Sequence, residues 1–190
     1  MNPAPKAPVK LTYDDLMLFP DDGKRHEIID GVHYVTPSPN TKHQVVAGNL
    51  HLALGSYLKA QPIGVVFFAP FDVLFSQFDV VEPDLLYISR ARRDVLTDKN
   101  VQGAPDLVVE ILSPGTRKRD TTLKGTLYER GGVQEYWVVD PRLDRIRVFR
   151  RTDDVFVSAA ELLAERGDAL TSPLFPGLSV PLAEIFAPAL

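Results

Sequence analysis

GAPDLVVEILSPGTRKRDTTLKGTLYERGGVQEYWVVDP, residues 103–141, decides the fold. Asp106–Leu112 is a near-continuous apolar run with β-branched residues and reads as a buried strand. Ser113-Pro114-Gly115-Thr116 breaks it, and Arg117-Lys118-Arg119 follows as a basic loop. Thr121–Arg130 then reads as a helix closed by Gly131-Gly132. Glu135–Asp140 is a second strand, ended by the Asp140-Pro141 turn. One residue does not fit an apolar strand. Glu110, ionised and unpaired in a buried run, would cost several kcal/mol, so it requires a cation nearby.

Working outward, Thr41–Lys59 carries Val45, Val46, Ala53, Leu54, Tyr57 and Leu58 at helical spacing and predicts a long amphipathic helix. Before it, His26–Asp30 and Val32–Thr36 form a hairpin about Asp30-Gly31, and Leu11–Leu18 a short helix with Thr12 as N-cap. Val65–Phe75, Val80–Ile88 and Arg145–Arg151 read as further strands. Beyond Val155 two patterns compete. Ser158 and Glu161 have capping-box spacing, whereas Val155-Phe156-Val157 reads as strand. Pro181–Phe186 suits a terminal helical turn. The whole is α/β or α+β: a mixed sheet with at least one helix on a face.

The cation demanded by Glu110 narrows its partners. Asp106 has the same strand parity but lies about 13 Å away along an extended chain. Asp84, in Pro83-Asp84-Leu85-Leu86, does better: if its strand pairs antiparallel with that of Glu110, the two carboxylates face each other at about 5 Å. Hard oxygen donors of this kind suit magnesium or manganese. Asp120, Lys124 and Tyr128 recur at intervals of four on the following helix, so Lys124 can point back to the end of the Glu110 strand or simply pair with Asp120. Arg117, Lys118, Arg119, Arg142, Arg145, Arg147 and Arg150 flank this region as candidate phosphate contacts. His26, His33, His43 and His51 lack zinc-protease spacing, and there is no phosphate-binding glycine loop or nucleophile elbow.

Composition sets the outer limits. A chain of 190 residues with 45% hydrophobic and 24% charged residues fits one folded domain, here 11–190 behind a loose Pro/Ala-rich arm at 1–10. No cysteine is present, which excludes disulfides, thiolate metal sites and a cysteine nucleophile. With no signal-like or membrane-spanning segment, a cytoplasmic location is expected. The net charge of -4 hides an uneven distribution. Residues 90–151 carry 14 Lys/Arg against 9 Asp/Glu and stand between two acidic ends, so phosphate can be bound locally.

RHEIIDG (25–31), PSPNTKHQVVAGNL (37–50), EPDLLYIS (82–89), the 103–141 stretch and PLFPGLSV (173–180) resemble the Uma family of restriction-endonuclease-like proteins, within the PD-(D/E)XK nuclease superfamily. The resemblance runs from about residue 11 to 187. It implies a mixed central sheet flanked by helices and a magnesium- or manganese-dependent endonuclease acting on DNA. It also implies a tendency to homodimers. By position, Asp84 matches the motif aspartate and Glu110 the acidic member of (D/E)XK, with the Ile111 carbonyl as a further metal ligand. Leu112 stands where the motif has lysine, and the resemblance assigns that role to Lys124. Glu27 matches an early glutamate, an auxiliary ligand or water contact. Lys124→Ala is then expected to abolish cleavage with the fold intact. Two rivals remain: a catalytically silent nucleic-acid-binding or interaction module of the same fold, and a hydrolase of another phosphate ester.

Overall fold

The computed structural model describes residues 9–115 and 117–189; most of the expected N-terminal arm, residues 1–8, lies outside them. Six strands form the central sheet: β3 (Gly64–Phe68), β6 (Leu85–Ser89), β8 (Leu107–Ile111), β9 (Glu135–Asp140), β10 (Arg145–Thr152) and β11 (Val155–Leu163). Their spatial order is β11-β10-β9-β8-β6-β3, and only the β8–β9 pair is parallel. Between those two strands the chain passes through a helical segment, the connection a parallel pair demands. A second sheet has the order β2-β1-β5-β4-β7, from β1 (Arg25–Ile29), β2 (Val32–Thr36), β4 (Val73–Ser76), β5 (Asp79–Val81) and β7 (Val101–Gln102). This is a mixed-sheet α+β architecture with flanking helices.

Alternation along the central strands gives each sheet face its own core. One face carries Leu85, Tyr87, Leu107, Val109, Ile111, Trp137 and Val139, packed under helix α2 (Thr41–Ala60) through Val46, Leu50, Leu54 and Leu58. The opposite face carries Leu86, Ile88, Val108, Leu112, Tyr136 and Val138. It meets the second sheet at Ile29, Val73, Val81 and Val101, and helix α3 (Gly125–Gly131) at Leu127 and Tyr128. Trp137 is fully buried, as a core residue should be. Among the described residues no helix is long and apolar enough to cross a membrane.

The expected elements hold best where the pattern is local. The β1–β2 hairpin turns on Asp30 and Gly31, both at positive φ (52° and 76°), the conformation that Asp-Gly favours. Thr12 caps the short helix α1 (Tyr13–Leu16) in a reciprocal box with Asp15. Elsewhere the structure corrects the sequence. The expected Val65–Phe75 strand is two strands in two different sheets, parted at Pro70. Val80–Ile88 is likewise split at Pro83. Proline lacks the N–H a ladder needs, so each run ends there. The Ser158/Glu161 cap is absent, because Val155–Leu163 pairs along β10 as an edge strand. Long-range pairing overrides the local signal.

Candidate active site

Asp84 stands one residue before β6, and β6 pairs antiparallel with β8 in the register Leu85↔Val109. One further step sets Asp84 opposite Glu110, with both on the face toward the second sheet. Asp84 is 5% exposed and accepts three hydrogen bonds. Arg25 Nη1 donates to Oδ1 at 2.8 Å; the backbone N–H of Ile111 and His43 Nε2 donate to Oδ2 at 2.8 and 3.1 Å. Burial pushes its carboxyl up, but the His43, Arg25 and Ile111 donors more than offset this and leave it at about 2.

Glu110 is built differently. It lies within β8, one residue from its end, 3% exposed, and its Oε1 accepts from Lys124 Nζ at 2.9 Å and Tyr128 Oη at 2.5 Å. Lys124 is 2% exposed and also reaches Glu27 Oε1 at 2.6 Å, with Asp120 Oδ1 at 3.9 Å. Burial, reinforced by the nearby Asp120, Asp84 and Glu27 carboxylates, raises Glu110 to about 8 against the pull of Lys124. For Lys124 burial acts downward, and the carboxylates of Glu110, Glu27 and Asp120 outweigh it, so its pKa is raised and the ammonium stays charged. Leu112 shares the parity of Glu110 but is buried in the apolar core, so the ammonium comes from the helix instead.

A local widening of the helix accompanies this arrangement. Arg119–Lys124 forms a π-helical turn ahead of α3, burying both Asp120 and Lys124. Thr121 and Thr122 hydroxyls donate to the Arg117 and Lys118 carbonyls at 2.7 and 2.6 Å, and Tyr136 Oη on β9 takes the Asp120 carbonyl at 2.6 Å. Side chains thus satisfy backbone acceptors around the turn, which is how such bulges persist, often at functional sites. Glu27 projects inward from β1 on the same side as Ile29. There it also accepts from the backbone N–H of Glu82 at 3.1 Å and stands 3.6 Å from Arg119. Asp106 accepts from the backbone N–H of Ser89 at 2.7 Å, away from Glu110, as its strand-start position suggests.

The basic residues are mostly occupied. Arg117 makes a bidentate pair with Asp140 at 2.8 and 2.9 Å. Arg119, 13% exposed, turns inward to Thr36 and Glu27, and Arg150 binds Glu135. Lys118 is exposed. Sequence reasoning missed Arg25 and His43. His43 left a faint signal, a histidine in the helical stripe of Val46 and Leu50. Arg25 left none, since its partner is 59 residues away.

Two hollows share part of their lining at this cluster. A pocket of about 20 Å³, room for one water, lies among Asp84, Glu110, Lys124 and His43. A groove of about 380 Å³ adjoins it, sharing Arg25, His43 and Asp84 and walled by Phe68, Pro70 and Glu82. Burial, helped by the Asp72 and Glu27 charges, raises Glu82 to about 7.

The family model described as "Putative restriction endonuclease", Uma2, matches residues 12–183. The chain belongs to the Uma2 family. A crystal structure described as "a putative nuclease belonging to DUF820", from Anabaena variabilis, superimposes with a TM-score of 0.76. It is 22% identical, with 94% of this chain and 98% of that one covered, a likeness of fold. No curated protein matches the chain. Within this Uma2 chain the donor chemistry fits a hard divalent cation. Asp84 and Glu110 supply carboxylate oxygens beside the one-water pocket. Among the described residues no three His, Asp or Glu side chains gather as a full ligand set, so water would complete the coordination.

Proposed function

We propose that this protein is a magnesium- or manganese-dependent endonuclease of the PD-(D/E)XK type that hydrolyses phosphodiester bonds in DNA. One observation carries the reading. Two carboxylates, Asp84 and Glu110, come from facing strand positions beside a one-water pocket, and a buried lysine from the next helix lies 2.9 Å from Glu110. Asp84 and Glu110, with the Ile111 carbonyl, would hold the metal, which polarises a phosphoryl oxygen and lowers the pKa of an attacking water. Lys124 would stabilise the developing phosphoryl charge and orient the water, since it is already charged and fixed between Glu27 and Glu110. Tyr128 and Asp120 would hold Glu110 and Lys124 in place. Lys118, exposed beside the site, is the phosphate contact most free to reach a backbone, whereas Arg117 and Arg119 order the loop.

A second reading, a catalytically silent nucleic-acid-binding module, draws on the three protein donors that already hold Asp84. Supercoiled plasmid separates the two. Nicking that requires magnesium or manganese and disappears in Asp84→Ala supports the nuclease. Plasmid binding with no conversion in either metal favours the silent module.

A further inference from the structure

The geometry points to Arg25 as a phosphate ligand stored on Asp84, displaced into the neighbouring groove when a divalent cation takes its place. The inference rests on Asp84 being a metal ligand. Two donors already occupy Oδ2 of Asp84 and one occupies Oδ1, so a cation would bind at Oδ1, where a donor stands in its way. The Ile111 N–H belongs to a strand backbone. His43 is 6% exposed, in the first turn of α2, where its backbone N–H is held by the Asn40 cap at 2.9 Å. Arg25 is the mobile one of the three. Its side chain is long and 18% exposed, and its remaining hydrogen bond, to the Glu82 carbonyl, is 3.3 Å long and to a neutral acceptor.

Charge drives the exchange. A guanidinium and a divalent cation on one carboxylate repel each other at close range in a partly buried site. Arg25 has somewhere to go, because it already lines the 380 Å³ groove together with Lys24, Ser38 and Gln44, all of which can donate hydrogen bonds. Its planar fork matches two phosphate oxygens. Metal loading would therefore create the substrate's phosphate site, and a metal-free protein would hold that site closed.

Calorimetric titration of manganese into wild type, Arg25→Met and Arg25→Lys tests the first half. Anisotropy of a fluorescein-labelled DNA duplex, in calcium and in EDTA, tests the second. Arg25→Met should bind manganese about tenfold more tightly, because one charge-assisted hydrogen bond no longer competes. The same variant should bind duplex about tenfold more weakly in calcium and little differently in EDTA, the loss of one charge-assisted phosphate contact. Arg25→Lys, which keeps the charge, should fall between and guards against misfolding of the methionine variant. Unchanged or weaker manganese binding in Arg25→Met and Arg25→Lys, both folded by circular dichroism, overturns the inference. Wild type that binds no manganese, or binds it equally as Asp84→Asn, removes the metal reading and this inference together.

Discussion

Asp84 and Glu110 are the same functional group on facing strand positions, yet the protein treats them oppositely. Asp84 sits just ahead of β6 beside the groove, held by three donors, at about 2. Glu110 sits within β8, one residue from its end, among other carboxylates, and rises to about 8. The neighbours set the difference: Asp84, just ahead of β6, meets an arginine, a helix-borne histidine and the Ile111 N–H, whereas Glu110, inside β8, meets what the opposing layer sends down. That layer sends Lys124 and Tyr128. Paired carboxylates with pKa values pushed apart are a recurring basis for dividing labour in catalysis.

The largest expected effect breaks the Glu110 side. Lys124→Ala leaves Glu27, Glu110 and Asp120 buried without their shared cation, so it should cost about 3–5 kcal/mol in urea unfolding and abolish cleavage. The sequence alone suggests an intact fold in that variant; burial against three carboxylates argues otherwise.

The pH dependence sharpens the contrast, because the two carboxyls act on stability with opposite signs. Asp84 is depressed, so its contribution, about 2 kcal/mol, is present above the ordinary carboxylate range and is lost as pH falls toward 2. Glu110 is raised, so the folded protein holds a proton the unfolded chain releases, and stability declines from about pH 4.5 to about 8. Denaturant melts across pH should show Asp84→Asn flattening the acid limb and Glu110→Gln the neutral one. Tyr128→Phe is milder. Removing its hydrogen bond to Glu110 should cost about 1–2 kcal/mol in urea unfolding. Smallest is Lys118→Ala, outside both halves. Stability should stay within about 0.5 kcal/mol by urea melts, while the salt dependence of DNA binding loses about one phosphate contact.

The same two regions show what was legible in the sequence. Glu110, a lone carboxylate in an apolar run, announces its need for a cation, and the four-residue spacing puts Lys124 within reach. The antiparallel register that brings Asp84 opposite is a condition the residues can state but not settle. Arg25 is invisible and His43 leaves only a faint trace, because each meets Asp84 across a long sequence separation, 59 and 41 residues. The π-helical turn depends on a tyrosine from β9, a tertiary contact with no local signature. Strand breaks at Pro70 and Pro83 were readable in principle, since proline ends a ladder, but the apolar runs around them mask it.

Thermal unfolding with and without millimolar manganese tests most directly whether the two unlike carboxylates share one cation. The account predicts a melting temperature that rises with metal as RT ln(1 + [L]/Kd) and a rise largely lost in Glu110→Gln and in Asp84→Asn alike. A wild-type melting temperature indifferent to metal, or a rise that survives either substitution, would contradict it.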